Sequence, residues 1–242
     1  MKINILTLFP ELFSAFKSQS IIGRAVKNNL IEINIINIRD FCFDKHQQAD
    51  DTPFGGEGGM VMKPEPLFRA LETCGGKVIY TSPQGVKFDQ QLALKLKEEE
   101  EITIIAGHYE GIDERVVENK VDMEISIGDF VLTGGELPSM VMVDAIARLI
   151  PGVITQASYE NDSFFNGLLD YPQYTRPAEY MGLKVPDVLI SGNHKKIRDW
   201  RMKESLKRTY LRRPDLLKDR EFSKEEKKFM KEILEELMEG EK

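Results

Sequence analysis

Residues 125–138 read ISIGDFVLTGGELP: an apolar, strand-like run, then three glycines (Gly128, Gly134 and Gly135) within eight residues, then the start of a helical pattern. Strand, glycine-rich turn and helix in that order is the grammar of an α/β domain. The turn matches neither GxGxxG nor a P-loop, since no Lys-Ser or Lys-Thr follows the glycines. Glycine still brings main-chain N–H and C=O groups within reach of a ligand, because it has no Cβ to hold one off. A flat, uncharged group such as a purine suits that surface. A tight turn that simply leads into a helix at Glu136 and Pro138 remains the alternative.

Outward from this stretch, short apolar runs recur: KINILTL (2–8), IEINIINI (31–38), KVIYTS (77–82), EITIIAG (101–107) and VDMEISIG (121–128). Between them, residues 10–29, 64–74, 89–101 and 136–150 carry helical spacing, with Pro or polar residues at their ends. The expectation is an α/β fold with a mainly parallel sheet. Ligands of such sheets collect at the carboxyl ends of strands. TSPQG (81–85), GHYEGIDERV (107–116) and IGDFVLTGGELP (127–138) are the loops expected there, and their convergence predicts one pocket with Pro83, Tyr109, Ile127 and Leu132 as apolar sides. Gln47–Pro64 has four glycines in five positions around Glu57, which reads as a substrate loop without regular structure. Pro151–Pro177, turn-rich and dotted with aromatics, reads as a linker, and the pattern after Pro186 is helical to the end, with a break at Pro214.

The chain of 242 residues is long enough for a sizeable core, as one large domain or two small ones. Neither a signal peptide nor an apolar run of roughly 20 residues is present, so a cytoplasmic location is expected. Cys42 and Cys74 fit a reducing compartment and make neither a disulfide framework nor a zinc knuckle. The net charge of −7 hides an uneven distribution. His194–Arg220 holds eleven Lys or Arg against four Asp or Glu, a local +7, together with Trp200 and Tyr210. Such a segment could grip phosphates and stack on bases, or be an ordinary solvated helix face.

Glu110, Asp113, Asp129, Arg148, Asp162 and Asp170 lie in or near the glycine loops and the linker. A carboxylate can act as general base and an arginine opposite it can stabilise an oxyanion. Each has a structural alternative: Asp113 as a helix cap, Arg148 beside a helix C-terminus, Asp162 as a turn residue. A nucleotide hydrolase is disfavoured, because the loops lack phosphate-binding lysines. A non-catalytic RNA-binding protein with a nucleotide as structural ligand stays open as the reading from another class.

The motifs TLFPELF (7–13), SIIGRAV (20–26), TPFGGEGGMVMKPEP (52–66), SPQG (82–85), GHYEGIDERV (107–116), residues 125–153, ENDSFFNGLLDYPQYTRP (160–177) and SGNHKKIRDWRMKESLKRT (191–209) together resemble the bacterial tRNA (guanine-N1)-methyltransferase family. That family belongs to the SPOUT class, whose cofactor site is a deep trefoil knot in an α/β domain. The resemblance implies a knotted, cofactor-binding domain over 1–158, an interdomain linker over 159–177 and a helical tRNA-binding domain over 178–242. It implies S-adenosylmethionine as methyl donor, held by Pro83, Gly107, Tyr109, Glu110, Ser126, Ile127, Gly128, Asp129, Phe130, Val131, Leu132, Gly134, Gly135 and Pro138. The substrate would be N1 of the guanosine 3′ to the anticodon (tRNA position 37), with Asp162 as general base and Arg148 stabilising O6. Asp170 and Glu110 are further candidates for holding the guanine, and magnesium near Glu110 and Asp162 is part of the same expectation. A homodimer, whose active site borrows linker and C-terminal residues from the partner, is also implied. Two positions depart from the family pattern: His108 stands where many members have arginine, and Gln173 where histidine is usual.

Overall fold

A computed structural model describes residues 1–56, 58–160 and 162–240, which divide into two compact units, Met1–Gln156 and Ala157–Lys242. Glu57 and Asn161, singled out within the glycine loop and the ENDSF motif, lie outside the described residues.

The first unit is built on five strands: β1 (Lys2–Thr7), β2 (Glu32–Asn37), β5 (Lys77–Lys87), β6 (Glu101–Ile105) and β7 (Met123–Ser126), ordered β2-β1-β6-β5-β7. All four pairings are parallel. The five runs expected to be strands are these strands. Ile3, Ile5, Leu6, Ile79, Ile102, Ile104 and Ile105 are fully buried, which is why consecutive positions are apolar: helices cover both faces. Polar groups inside the sheet are paired, Asn4 donating to Glu101 Oε1 at 2.8 Å and Thr103 Oγ1 at 3.1 Å.

The connecting helices are α1 (Ser14–Ser18), α2 (Ser20–Lys27), α3 (Pro64–Glu72), α4 (Gln90–Leu96), α5 (Glu114–Lys120) and α6 (Glu136–Ala147). Residues 10–29 do not form one helix. Gln19 is extended and Ser20 adopts φ 55, so the chain turns a corner between α1 and α2. Asp89 caps α4, accepting from Leu92 N at 2.8 Å. α6 is apolar on all sides and buries Pro138, Met142, Val143, Ile146 and Ala147.

Two expectations about loops are corrected. TSPQG is not a loop after its strand but part of β5, whose register against β7 slips between Thr81 and Val86, both partnered by Ile125. The bulge is possible because Gly85 passes against the β7 backbone, where an added Cβ would sit 2.3 Å from the Glu124 carbonyl carbon. Gln47–Pro64 does contain regular structure: β3 (Asp50–Asp51) and β4 (Val61–Met62) pair antiparallel at its base.

The second unit holds α8 (Asp187–Ile190), α9 (His194–Arg212), α10 (Lys224–Gly240) and a small hairpin of β8 (Glu179–Tyr180) and β9 (Leu183–Lys184). α7 (Gln156–Glu160) lies at the division between the units. The core here is Leu168, Leu206, Phe229 and Ile233, joined by Met202, Met230 and Leu237. Leu168 comes from the stretch read as a linker, and its neighbour Leu169 donates from N–H to buried Thr209 Oγ1 at 2.9 Å. α10 begins in a capping box: Ser223 N donates to Glu226 Oε2 at 2.8 Å and Glu226 N to Ser223 Oγ at 3.1 Å. Arg220 joins this cap to the preceding loop, donating to Glu226 Oε1 at 2.6 Å and to the Asn166 carbonyl at 2.7 Å.

Burial pushes the Glu226 carboxyl up, but the bonds from Arg220 and Ser223 outweigh it and hold the group below its ordinary value. A lowered folded-state pKa contributes stability above the unfolded value, about 4.3 for glutamate, and that contribution is lost as pH falls through the folded value. Glu226→Ala should therefore destabilise this unit by about 1–3 kcal/mol at neutral pH, read from Trp200 fluorescence in a denaturant titration of the full chain. The difference from the parent should shrink on acidification below about pH 4.

Candidate active site

The carboxyl ends of β5, β6 and β7 converge on a cleft of about 230 Å³. β5 supplies Pro83, which the bulge carries into the wall together with Ser82 and Thr81. The loop after β6 supplies Gly107, Tyr109 and Glu110. From the end of β7 come Ser126, Ile127 and Gly128, from the following loop Phe130, Val131 and Leu132, and at the approach to α6 Gly134 and Gly135. Pro138 closes the wall from the first turn of α6. Asp129 is not in the lining. Tyr80, His108 and Thr133 are in it without having been singled out for the wall; the position of Tyr80 and Thr81 just before Pro83 was the available signal.

One main-chain bond ties the walls together: Gly135 N donates to the Gly107 carbonyl at 2.7 Å. Gly135 must be glycine here, since its Cβ would stand 2.8 Å from both Ala106 Cα and Gly107 N and closer still to Thr81 Oγ1. Thr81 Oγ1 in turn donates to the Ile105 carbonyl at 3.1 Å. Tyr109 adopts φ 60, an uncommon backbone state for an aromatic residue and one found where a wall is shaped for a ligand. Burial pushes the Tyr80 phenol up, against an N–H bond from Ile112.

His108 packs between Phe9 and Tyr109, at centroid distances of 4.8 and 4.9 Å. Its Nδ1 lies 3.8 Å from Glu136 Oε2, and buried Glu136 accepts from Thr7 Oγ1 at 2.8 Å. The imidazole thus occupies the wall with an acidic neighbour behind it. The glycine loop is stitched to the same wall: Glu110 N donates to Met60 O, Met62 N to Gly111 O and Asp113 N to Met62 O, each at 3.0 Å.

The predicted catalytic residues are placed as follows. Glu110 is the only carboxylate of the lining among the described residues. Arg148 is the C-cap of α6, and a rise of 1.5 Å over twelve residues sets it roughly 18 Å along the helix from the cleft end. The fold of this unit therefore does not bring Arg148 into its own chain's cleft. Asp162 and Asp170 belong to the second unit. Asp162 sits in a turn, its N–H donating to Tyr159 O at 3.2 Å. Asp170 is engaged on both oxygens, Oδ1 accepting from Tyr171 N at 2.7 Å and Oδ2 from Gln173 Nε2 at 3.1 Å. The glutamine that departs from the family pattern thus holds a candidate site carboxylate. Asp113 is a cap: it accepts from Arg115 N at 3.0 Å, and the Arg115 guanidinium holds its carboxyl below the usual range.

The donor set defines what fits. Main-chain groups, small hydroxyls and apolar walls, with no Lys or Arg in the lining among the described residues, suit an uncharged heterocycle with a ribose better than a polyphosphate. Among the described residues no group of three or more His, Cys, Asp or Glu side chains stands together as a ready-made metal site, and Glu110 and Asp162, the two carboxylates expected near magnesium, belong to different units.

The chain matches a family model described as tRNA (Guanine-1)-methyltransferase TrmD over residues 1–219. The chain belongs to the tRNA (guanine-N1)-methyltransferase family. A tRNA (guanine-N(1)-)-methyltransferase of Fusobacterium nucleatum subsp. nucleatum is 70% identical over 236 residues, 98% of this chain and 99% of the relative. Enzymes of the same name from Desulforamulus reducens and Ruminiclostridium cellulolyticum are each 56% identical, over 96% and 89% of this chain and 95% and 96% of theirs. Membership makes the chain a tRNA-modifying methyltransferase of the SPOUT class, and implies a methyl donor for a cleft whose chemistry suits one.

Gly135→Ala should destabilise the first unit by about 1–3 kcal/mol, because the atoms it meets are mostly backbone and cannot give way cheaply. Circular dichroism in denaturant checks this; an unchanged midpoint would mean that the wall is looser than its 2.7 Å bond implies.

Proposed function

We propose that the cleft binds S-adenosylmethionine and that the enzyme methylates N1 of the guanosine 3′ to the anticodon, tRNA position 37. The observation that carries the reading is the main-chain cleft at the ends of β5, β6 and β7, without Lys or Arg in its described lining, in a chain 70% identical to a tRNA (guanine-N1)-methyltransferase. The residues that would hold the donor are those lining the cleft, from Pro83, Gly107–Glu110, Ser126–Gly128 and Phe130–Leu132 to Gly134, Gly135 and Pro138. Asp129, outside the lining, is better suited to fixing the turn. A trefoil knot through these loops is part of this reading and rests on family membership.

When bound, the donor supplies a methyl group already activated on a sulfonium. What remains for the protein is the guanine. N1 carries a proton and is a poor nucleophile until it leaves, so Asp162 is assigned as the base that takes it. Arg148 is assigned to the negative charge that then develops on O6. Backbone groups of the cleft orient the two partners for in-line displacement. The target base, stacked in the anticodon loop, is turned out to reach the site.

A homodimer is part of the proposal. Its support is α6 itself, which holds Arg148 about 18 Å from its own cleft, a separation that a second copy would bridge. Residues 1–158 then serve as the cofactor domain, and residues 178–242 serve as the tRNA-binding domain across the 159–177 segment. Work on tRNA and two free cysteines, Cys42 and Cys74, favour the cytoplasm.

The test is transfer of labelled methyl from S-adenosylmethionine to an unmodified tRNA transcript, with label expected at N1 of the target guanosine and none when that base is substituted. Asp162→Ala should reduce transfer about 10²- to 10⁴-fold with donor affinity unchanged by equilibrium dialysis. Arg148→Ala should cost about 10²- to 10³-fold in kcat. Full activity in either variant removes that residue from the mechanism.

A further inference from the structure

Within the second unit, a groove of about 490 Å³ lies between residues 171–178 and the helices α8 and α9. The geometry points to a subsite that holds one unpaired nucleobase of the RNA, apart from the guanine that is methylated; the inference rests on the tRNA reading above. Its walls combine planes, cations and apolar surface. The Arg201 guanidinium lies 4.8 Å over the Tyr171 ring. Tyr174, 50% exposed, faces the Trp200 ring at 6.4 Å. Leu189 and Ile190 form the apolar side, with Ile190 63% exposed, and Arg176 is a further lining residue.

Charge selects the occupant. Among the described residues Lys203, Lys207, Arg213 and Arg220 are held in ion pairs with carboxylates of the same unit. Arg176 and Arg201, which line the groove, are in none of the ion pairs found among the described residues. Arg176 and Arg201 thus bring positive charge that these ion pairs do not neutralise to the lining of an apolar, aromatic recess. A phosphate alone would leave the tyrosines and Ile190 unused, and an apolar peptide would leave the arginines unused. A base with its 5′ or 3′ phosphate uses both: the ring against Tyr174 and the aliphatic side, the phosphate toward Arg176. A base-paired nucleotide is excluded, since its ring faces are covered by stacking.

The experiment measures binding of anticodon stem-loop RNAs to the full-length enzyme by fluorescence anisotropy, with one abasic nucleotide placed in turn at each loop position other than the target. One position should weaken binding to the parent enzyme about 5- to 100-fold. Tyr174→Ala should weaken binding of the intact stem-loop by a similar factor, leave donor affinity unchanged, and show no further loss with that abasic RNA; Tyr174→Phe should restore binding. Arg201→Ala serves as a second variant, and an unchanged Trp200 unfolding midpoint checks folding in both. Additive losses for every abasic position, or no loss in either variant, overturn the subsite. A change in oligomeric state on gel filtration without loss of RNA binding per site assigns the groove to a second copy of the chain and overturns it as well. Methyl transfer by the parent enzyme is measured alongside: its absence defeats the tRNA methylation reading, whereas normal transfer with unaffected variants defeats only the groove.

Discussion

The 2.7 Å bond from Gly135 N–H to the Gly107 carbonyl is the constraint on which the first unit's site depends. It joins the end of β6 to the start of α6 where no Cβ is tolerated on Gly135, and it fixes the level at which α6 leaves the sheet. Directly beyond it Glu136 is buried and takes its hydrogen bond from Thr7 at the end of β1, so three elements are locked at one corner. The direction of α6 then follows, and with it the place of Arg148 one helix length away. A cleft wall and a distant guanidinium are set by the same short contact.

The second unit is organised by charge as much as by apolar packing. Its core, Leu168, Leu206, Phe229 and Ile233, is small. The Arg220, Glu226 and Ser223 cluster secures the start of α10, while Lys203 binds Glu232 and Glu236 of α10 from α9 at 3.0 and 2.7 Å. The acidic residues of α10 are thus the partners of part of the basic helix α9.

The five strands were legible because parallel strands buried on both faces leave unbroken apolar runs. The cleft was legible because glycine loops at successive strand ends have few other uses. What stayed hidden depends on non-local registry. The β5 bulge needs the β7 backbone beside Gly85, and the β3–β4 clasp needs the partner strand in place, neither of which is a local propensity. The corner at Ser20 overrides a helical pattern that runs through it. Candidate chemistry was harder still. A spacing of twelve residues between Gly135 and the end of α6 already implied a long separation, but Asp170 gave no hint that Tyr171 and Gln173 would occupy both its oxygens.

The ion-paired cations of the second unit also bear on electrolyte effects. Attraction to a polyanion is driven by the release of condensed counterions, one set for each phosphate that a protein cation neutralises. Lys203, Lys207, Arg213 and Arg220 already have carboxylates and displace few such ions. The slope of log affinity against log salt is thus set by the unpaired cations, and is shallower than the +7 of residues 194–220 would suggest, because Glu226, Glu232 and Glu236 outside that segment neutralise Lys203, Lys207 and Arg220.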